Sequence, residues 1–162
     1  MLEDILESGL KELGITPEPQ SAGRFRTYYE YLEKMNSVMN LTAITGEKDV
    51  AELHFLDCAA VLNAADFSKK RVIDVGTGAG FPGMVLKILR PDMELTLLDS
   101  LDKRVNFLTE ACGMLGFGDT ACVHARAEEA PAGFRESFDI AVSRAVARLN
   151  VLCELCLPLV RQ

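Results

Sequence analysis

Residues 74–83 read Asp74-Val75-Gly76-Thr77-Gly78-Ala79-Gly80-Phe81-Pro82-Gly83, a run whose composition suits it to hold a small ligand. Glycines at this density allow positive φ and let the backbone come close to a bound molecule. The run follows a short β-rich stretch and opens a helical one, and Pro82 suits a first helical turn because its missing N–H costs nothing there. A loop at the carboxyl end of a strand is where open α/β sheets bind nucleotides. Residues 78–83 satisfy the GxGxxG pattern and Asp99 stands about twenty residues on, so a nicotinamide dinucleotide is one reading.

Two features favour S-adenosylmethionine (SAM) instead. Asp74 stands two places before Gly76 and gives the form D-x-G-x-G-x-G, with an acid beneath the methionine end of the ligand. That acid complements the ammonium and sulfonium charges. The acidic pair Glu128-Glu129 follows the third β-rich run, where an adenine ring would lie. SAM carries no phosphate, so its loop needs no phosphate-cradling helix end. Asp99 ends the second β-rich run, where it could accept both ribose hydroxyls, and it equally suits the cap of the helix that follows. Glu128 reads either as an acceptor for adenine N6 or as a plain solvated acid.

These residues need elements to position them. Up to about residue 66 the chain has helical spacing. Leu2, Ile5, Leu6, Leu10 and Leu13 recur on one face before Gly14, and Phe25, Tyr28, Tyr29, Leu32, Met35 and Met39 form a second stripe ending near Asn40. A third helix is expected over 47–64. From Arg71 the period shortens: 71–75, 95–99, 120–124 and 138–142 are β-rich, with helical stretches at about 82–90, 101–115 and 146–157. Such alternation predicts a parallel sheet wound with crossover helices. The expected organisation is a helical region over 1–66 and an α/β core over 67–162.

Nearly half the residues are apolar and a quarter are charged, as in ordinary globular proteins. No apolar run is long enough to cross a bilayer, and Met1-Leu2-Glu3-Asp4 lacks the basic-then-apolar pattern of a signal peptide, so a cytoplasmic location is expected. Five scattered cysteines argue against a disulfide framework, and Cys153-Glu154-Leu155-Cys156 has no second ligand pair at zinc-site distance, so no metal is expected. The net charge of −7 means that any nucleic-acid contact must come from a local basic patch.

The glycine run, together with Asn40-Leu41-Thr42-Ala43-Ile44, His54-Phe55-Leu56-Asp57, Leu97-Leu98-Asp99-Ser100, Ala127-Glu128-Glu129 and Val142-Ser143-Arg144-Ala145, resembles the RsmG (GidB) family. That family methylates N7 of one guanine in 16S ribosomal RNA. The resemblance implies a Rossmann-like class I SAM-dependent methyltransferase core with an N-terminal helical extension, and a partner in 16S rRNA or the small ribosomal subunit. It implies SAM contacts at Gly76, Gly78, Phe81, Asp99, Ala127, Glu128 and Arg144, with His54 and Asp57 facing the mouth of the site. Arg144 could position the methionine end or an RNA phosphate, or be a plain surface ion pair; Phe81 could be ordinary core, and a capping or ion-pair role stays open for His54 and Asp57.

Family members continue into further strands, so the resemblance also implies a sheet truncated at the C-terminus. Its fourth strand would be an apolar edge open to self-association. Guanine N7 has a free lone pair and needs no deprotonation, so no general base is expected and no catalytic residue is nominated. The alternatives are a NAD-linked oxidoreductase, or a SAM-binding module without activity.

Overall fold

The computed structural model describes residues 1–162. Helix α1 (Leu2–Glu12) buries Leu2, Leu6 and Leu10, one residue per turn on a single face. It stops at Gly14, whose φ of 72° is the left-handed conformation glycine adopts without a steric cost. Helix α2 (Ser21–Met39) buries Phe25, Tyr28, Tyr31 and Leu32, with Tyr29 only half-buried, and ends on Asn40 in the same left-handed region.

The third helical segment departs from the regular helix expected over 47–64. It winds as α3 (Glu47–Asp49), a π-helix over Val50–Leu56, α4 (Asp57–Ala59) and a 3-10 turn over Ala60–Asn63. The wider π turn falls on the stretch that carries His54, and such turns recur at functional sites.

Four parallel strands follow: β1 (Arg71–Val75), β2 (Glu94–Asp99), β3 (Ala121–His124) and β4 (Ile140–Val142), in the order β3-β2-β1-β4. Helix α5 (Gly83–Leu89) connects β1 to β2, α6 (Asp102–Met114) connects β2 to β3, and α7 (Leu149–Cys156) follows β4. Parallel strands need such crossovers, and their burial on both faces favours the mainly apolar runs of β1 and β2, interrupted by Asp74 and Thr96. Val72, Leu95 and Leu97 face a large cluster shared with α1, α2, the third helical segment, α5 and α6. Ile73, Val75 and Leu98 face the other way, onto Phe138 and Leu159.

The flank of β4 is less open than the sequence suggests. Val160 makes a parallel bridge with Phe138; Phe138 N–H donates to Leu159 O at 3.0 Å, and Arg161 N–H donates to Phe138 O at 2.9 Å. This pairing covers Phe138, just ahead of β4, while β4 itself remains the edge strand of the sheet.

Candidate functional site

The carboxyl ends of β1 and β2 meet at the glycine loop. Gly76 and Thr77 both donate their N–H to Leu98 O, at 2.8 and 3.1 Å, and Gly78 N–H donates to Asp99 Oδ2 at 2.9 Å. Gly76 and Gly78 hold φ of 68° and 60°, a conformation that favours glycine. Asp74 lies beneath the loop, fully buried. Its Oδ2 accepts the Thr77 hydroxyl and the Gly83 N–H, each at 2.7 Å, while Oδ1 has no partner. Burial pushes this carboxyl up to about 7, against the lowering effect of those two hydrogen bonds. A Cβ at Gly83 would lie 2.8 Å from Asp74 Oδ2, so only glycine lets the acid reach the helix start.

This arrangement decides between the two ligands. A dinucleotide places its pyrophosphate on free N–H groups at the start of the first helix. Here the Gly83 N–H is taken by Asp74, and Gly80 and Phe81 both donate to Thr77 O. An anion would also meet the charge of Asp74 when ionised, whereas a cationic ligand gains from it. The glycine loop, the acid with an unpaired buried oxygen and the acidic rim fit SAM.

A cavity of about 240 Å³ opens beside the loop. Gly76, Asp99, Ala127 and Glu128 line it, as does Ser100, under a cover formed by Val146 and Leu155. Asp99 is only 3% exposed and both its oxygens are engaged: Oδ2 with Gly78 and Oδ1 with the Leu101 N–H at 2.9 Å. Asp99 thus does both things the sequence allowed, supporting the start of α6 and presenting its remaining lone pairs to the cavity. Glu128 is exposed on a 3-10 turn, 4.0 Å from Arg126 Nη1. A larger groove of about 620 Å³ runs along α1, the turn at 14–19 and the start of α2, and contains none of the candidate site residues.

The other expected residues form a second group. Arg144, just past β4, reaches the third helical segment: Nη2 lies 2.6 Å from His54 Nδ1, and Nη1 lies 3.2 Å from Asp57 Oδ2 and 3.4 Å from Leu53 O. Its guanidinium stands 5.1 Å from the centre of the Phe81 ring, on which His54 stacks at 4.2 Å. Tyr28 donates its hydroxyl to Ala79 O and also packs against Phe81. Phe81 thus packs between Tyr28, His54 and Arg144. Burial, then the charge of Arg144, holds the His54 imidazole down at about 4, so the ring is neutral near pH 7.

The structure thus brings Gly76, Asp99, Ala127 and Glu128 around one cavity, with Gly78 at its edge, and gathers Phe81, Arg144, His54 and Asp57 beside it. Gly76 joins the two, because a Cβ there would lie 2.6 Å from Val146, two residues after Arg144. The sequence reading missed Val146 and Leu155 as cover; their only signal was apolar character in a stretch read as a plain helix.

Comparison with known proteins agrees with this geometry. Residues 22–162 match the GidB family, described as rRNA small subunit methyltransferase G. The chain is 44% identical over 161 residues to ribosomal RNA small subunit methyltransferase G of Clostridium perfringens, covering 98% of this chain and 67% of that one. It is 48% identical over 163 residues to the protein of that name from Alkaliphilus oremlandii, covering 99% and 68%. Among solved structures, an O-methyltransferase from Bacillus cereus in complex with SAH aligns at TM-score 0.60 and 16% identity, over 99% of this chain and 71% of that one. A SAM-dependent methyltransferase from Aquifex aeolicus aligns at TM-score 0.55 and 20% identity, over 69% and 61%. These structural likenesses carry the fold alone. The chain spans about two thirds of the length of the curated relatives it matches, and at this identity and coverage it belongs to the GidB family of small-subunit rRNA methyltransferases.

Proposed function

We propose that this chain uses SAM to methylate N7 of a guanine in 16S ribosomal RNA of the small subunit. The observation that carries the reading is the buried Asp74 beneath the glycine loop, which occupies the helix start where a phosphate would sit and leaves a site suited to a cation. When bound, SAM supplies an electrophilic methyl group on its sulfonium. The chain's own task is placement. Gly76 and Gly78 let the loop close on the cofactor, Asp99 receives the ribose hydroxyls, and Ala127 and Glu128 meet the adenine. Val146 and Leu155 give the cavity apolar lining.

Guanine N7 is nucleophilic without losing a proton, so catalysis here is proximity and orientation rather than acid–base chemistry. That fits a site whose one histidine is held neutral between a cation and a hydroxyl. Arg104, Arg126 and Arg144 follow β2, β3 and β4, each beside a carboxylate (Asp99, Glu128 and Asp57), and are the cations nearest the site that an RNA phosphate could meet. Because the major groove of duplex RNA is too narrow to admit side chains, the target guanine lies in a loop or a distorted segment. No helix is long and apolar enough to cross a membrane.

The test is transfer of a tritiated methyl group from SAM to naked 16S rRNA, assembled small subunits and protein substrates in parallel. Label is expected in rRNA, free or assembled. Label confined to protein would overturn the reading.

A further inference from the structure

Two residues from distant parts of the chain clamp the imidazole of His54. Arg144 Nη2 lies 2.6 Å from Nδ1, and Thr42 Oγ1, in the loop between α2 and α3, lies 2.7 Å from Nε2. A guanidinium has donors and no acceptor, so Nδ1 must accept. The one proton of the neutral ring therefore sits on Nε2 and is donated to the Thr42 hydroxyl. A second ring proton would have to point at the arginine, which is the geometric reason the ring stays neutral.

Thr42 is held in turn. Its N–H donates to Asn36 Oδ1 at 2.8 Å, its carbonyl accepts from Asn36 Nδ2 at 2.9 Å, and the Ile44 N–H donates to its hydroxyl oxygen at 3.1 Å. Asp57 steadies the far side of the guanidinium at 3.2 Å. The outcome is an unbroken hydrogen-bonded chain, Asn36–Thr42–His54–Arg144–Asp57, from α2 to the loop after β4. Its middle member stacks on Phe81, a residue of the glycine loop.

We infer that Thr42, pinned by Asn36, is a positioning residue for methyl transfer: through the Nε2–H tautomer of His54 it fixes how Arg144 faces the substrate. The consequence for activity rests on the proposed rRNA methylation, whereas the tautomer follows from the donors and acceptors alone. Thr42 does not line the cofactor cavity, so its effect must pass through His54.

Thr42→Val removes the acceptor while keeping the branched shape. It is expected to lower kcat/KM for rRNA about tenfold, the scale of one hydrogen bond. SAM affinity by calorimetry should fall by clearly less than kcat/KM, because Thr42 does not line the cofactor cavity. Thr42→Ser should restore activity. Nitrogen-15 NMR of His54 gives the readout that a merely structural role would not move. The unsubstituted protein should show the Nε2–H tautomer with no protonation above about pH 5, and the valine variant should show a shifted Nε2 signal. An Nδ1–H tautomer in the unsubstituted protein overturns the inference, as does a valine variant that methylates rRNA at full rate or loses SAM affinity equally. Absence of rRNA methylation by the unsubstituted protein would overturn the functional reading and this inference together; an equally active valine variant overturns the inference alone.

Discussion

Asp99→Ala is expected to weaken SAM binding by about 1–3 kcal/mol, the scale for losing charge-assisted hydrogen bonds, and to destabilise the chain as well. The carboxylate accepts the Gly78 N–H and the Leu101 N–H at 2.9 Å each, with Arg104 Nη1 at 3.7 Å from Oδ1. Alanine leaves both amides without that partner and frees the glycine loop from β2. Stability should fall by a further 1–3 kcal/mol, roughly the cost of unmet donors in a part-buried setting. Asp99→Asn separates the two effects: its single carbonyl oxygen can serve one backbone amide but cannot also take both ribose hydroxyls. Calorimetry and denaturant unfolding on both variants check this. SAM affinity unchanged in a folded Asp99→Ala protein would reduce Asp99 to a support for the start of α6.

Asp74→Asn should separate stability from cofactor binding. The folded protein raises this carboxyl to about 7, and its ordinary value is 3.8. A group raised in this way contributes stability that is fully present below its unfolded pKa and lost as pH rises through its folded pKa. Asp74 therefore costs stability progressively from about pH 4 to pH 7.

His54 runs the other way. Lowered to about 4 from 6.5, it contributes stability present above 6.5 and lost as pH falls through 4. Where both windows overlap the two slopes oppose each other, so their combined pH dependence is nearly flat between about pH 5 and 6. Asparagine removes only the first. The Asp74→Asn protein should gain stability with rising pH there, by up to roughly 1.4 kcal/mol per unit for one proton. At pH 8 it should exceed the unsubstituted chain by about 1–2 kcal/mol, since the linkage gain outweighs the unmet amide donors. Its SAM affinity should fall at least about tenfold, because the negative charge beneath a cationic ligand is gone. Unfolding curves across pH 4.5–8 and SAM titrations read both effects. A variant that binds SAM normally would remove Asp74 from the account of cofactor choice.

What could be read ahead of the structure was whatever local spacing encodes. The stops at Gly14 and Asn40, the four strands and the glycine loop all follow from residue type within a few positions. Asp74 was legible as an acid under the loop, but its grip on the Gly83 N–H was not, since that depends on Gly83 lacking a side chain. The contact between Arg144 and His54 joins residues ninety apart in sequence, and no periodicity reports such a distance. The π winding over Val50–Leu56 was also hidden, because its apolar pattern reads equally well as a regular helix.

The most direct test of the central claim is to identify the methylated nucleoside. Small-subunit rRNA from cells lacking this methyltransferase would be incubated with the protein and SAM, digested and analysed by mass spectrometry. 7-Methylguanosine is expected at one position, with its yield at limiting SAM lowered by Asp99→Ala in proportion to the lost SAM affinity. Methylation at another atom or another base would contradict it.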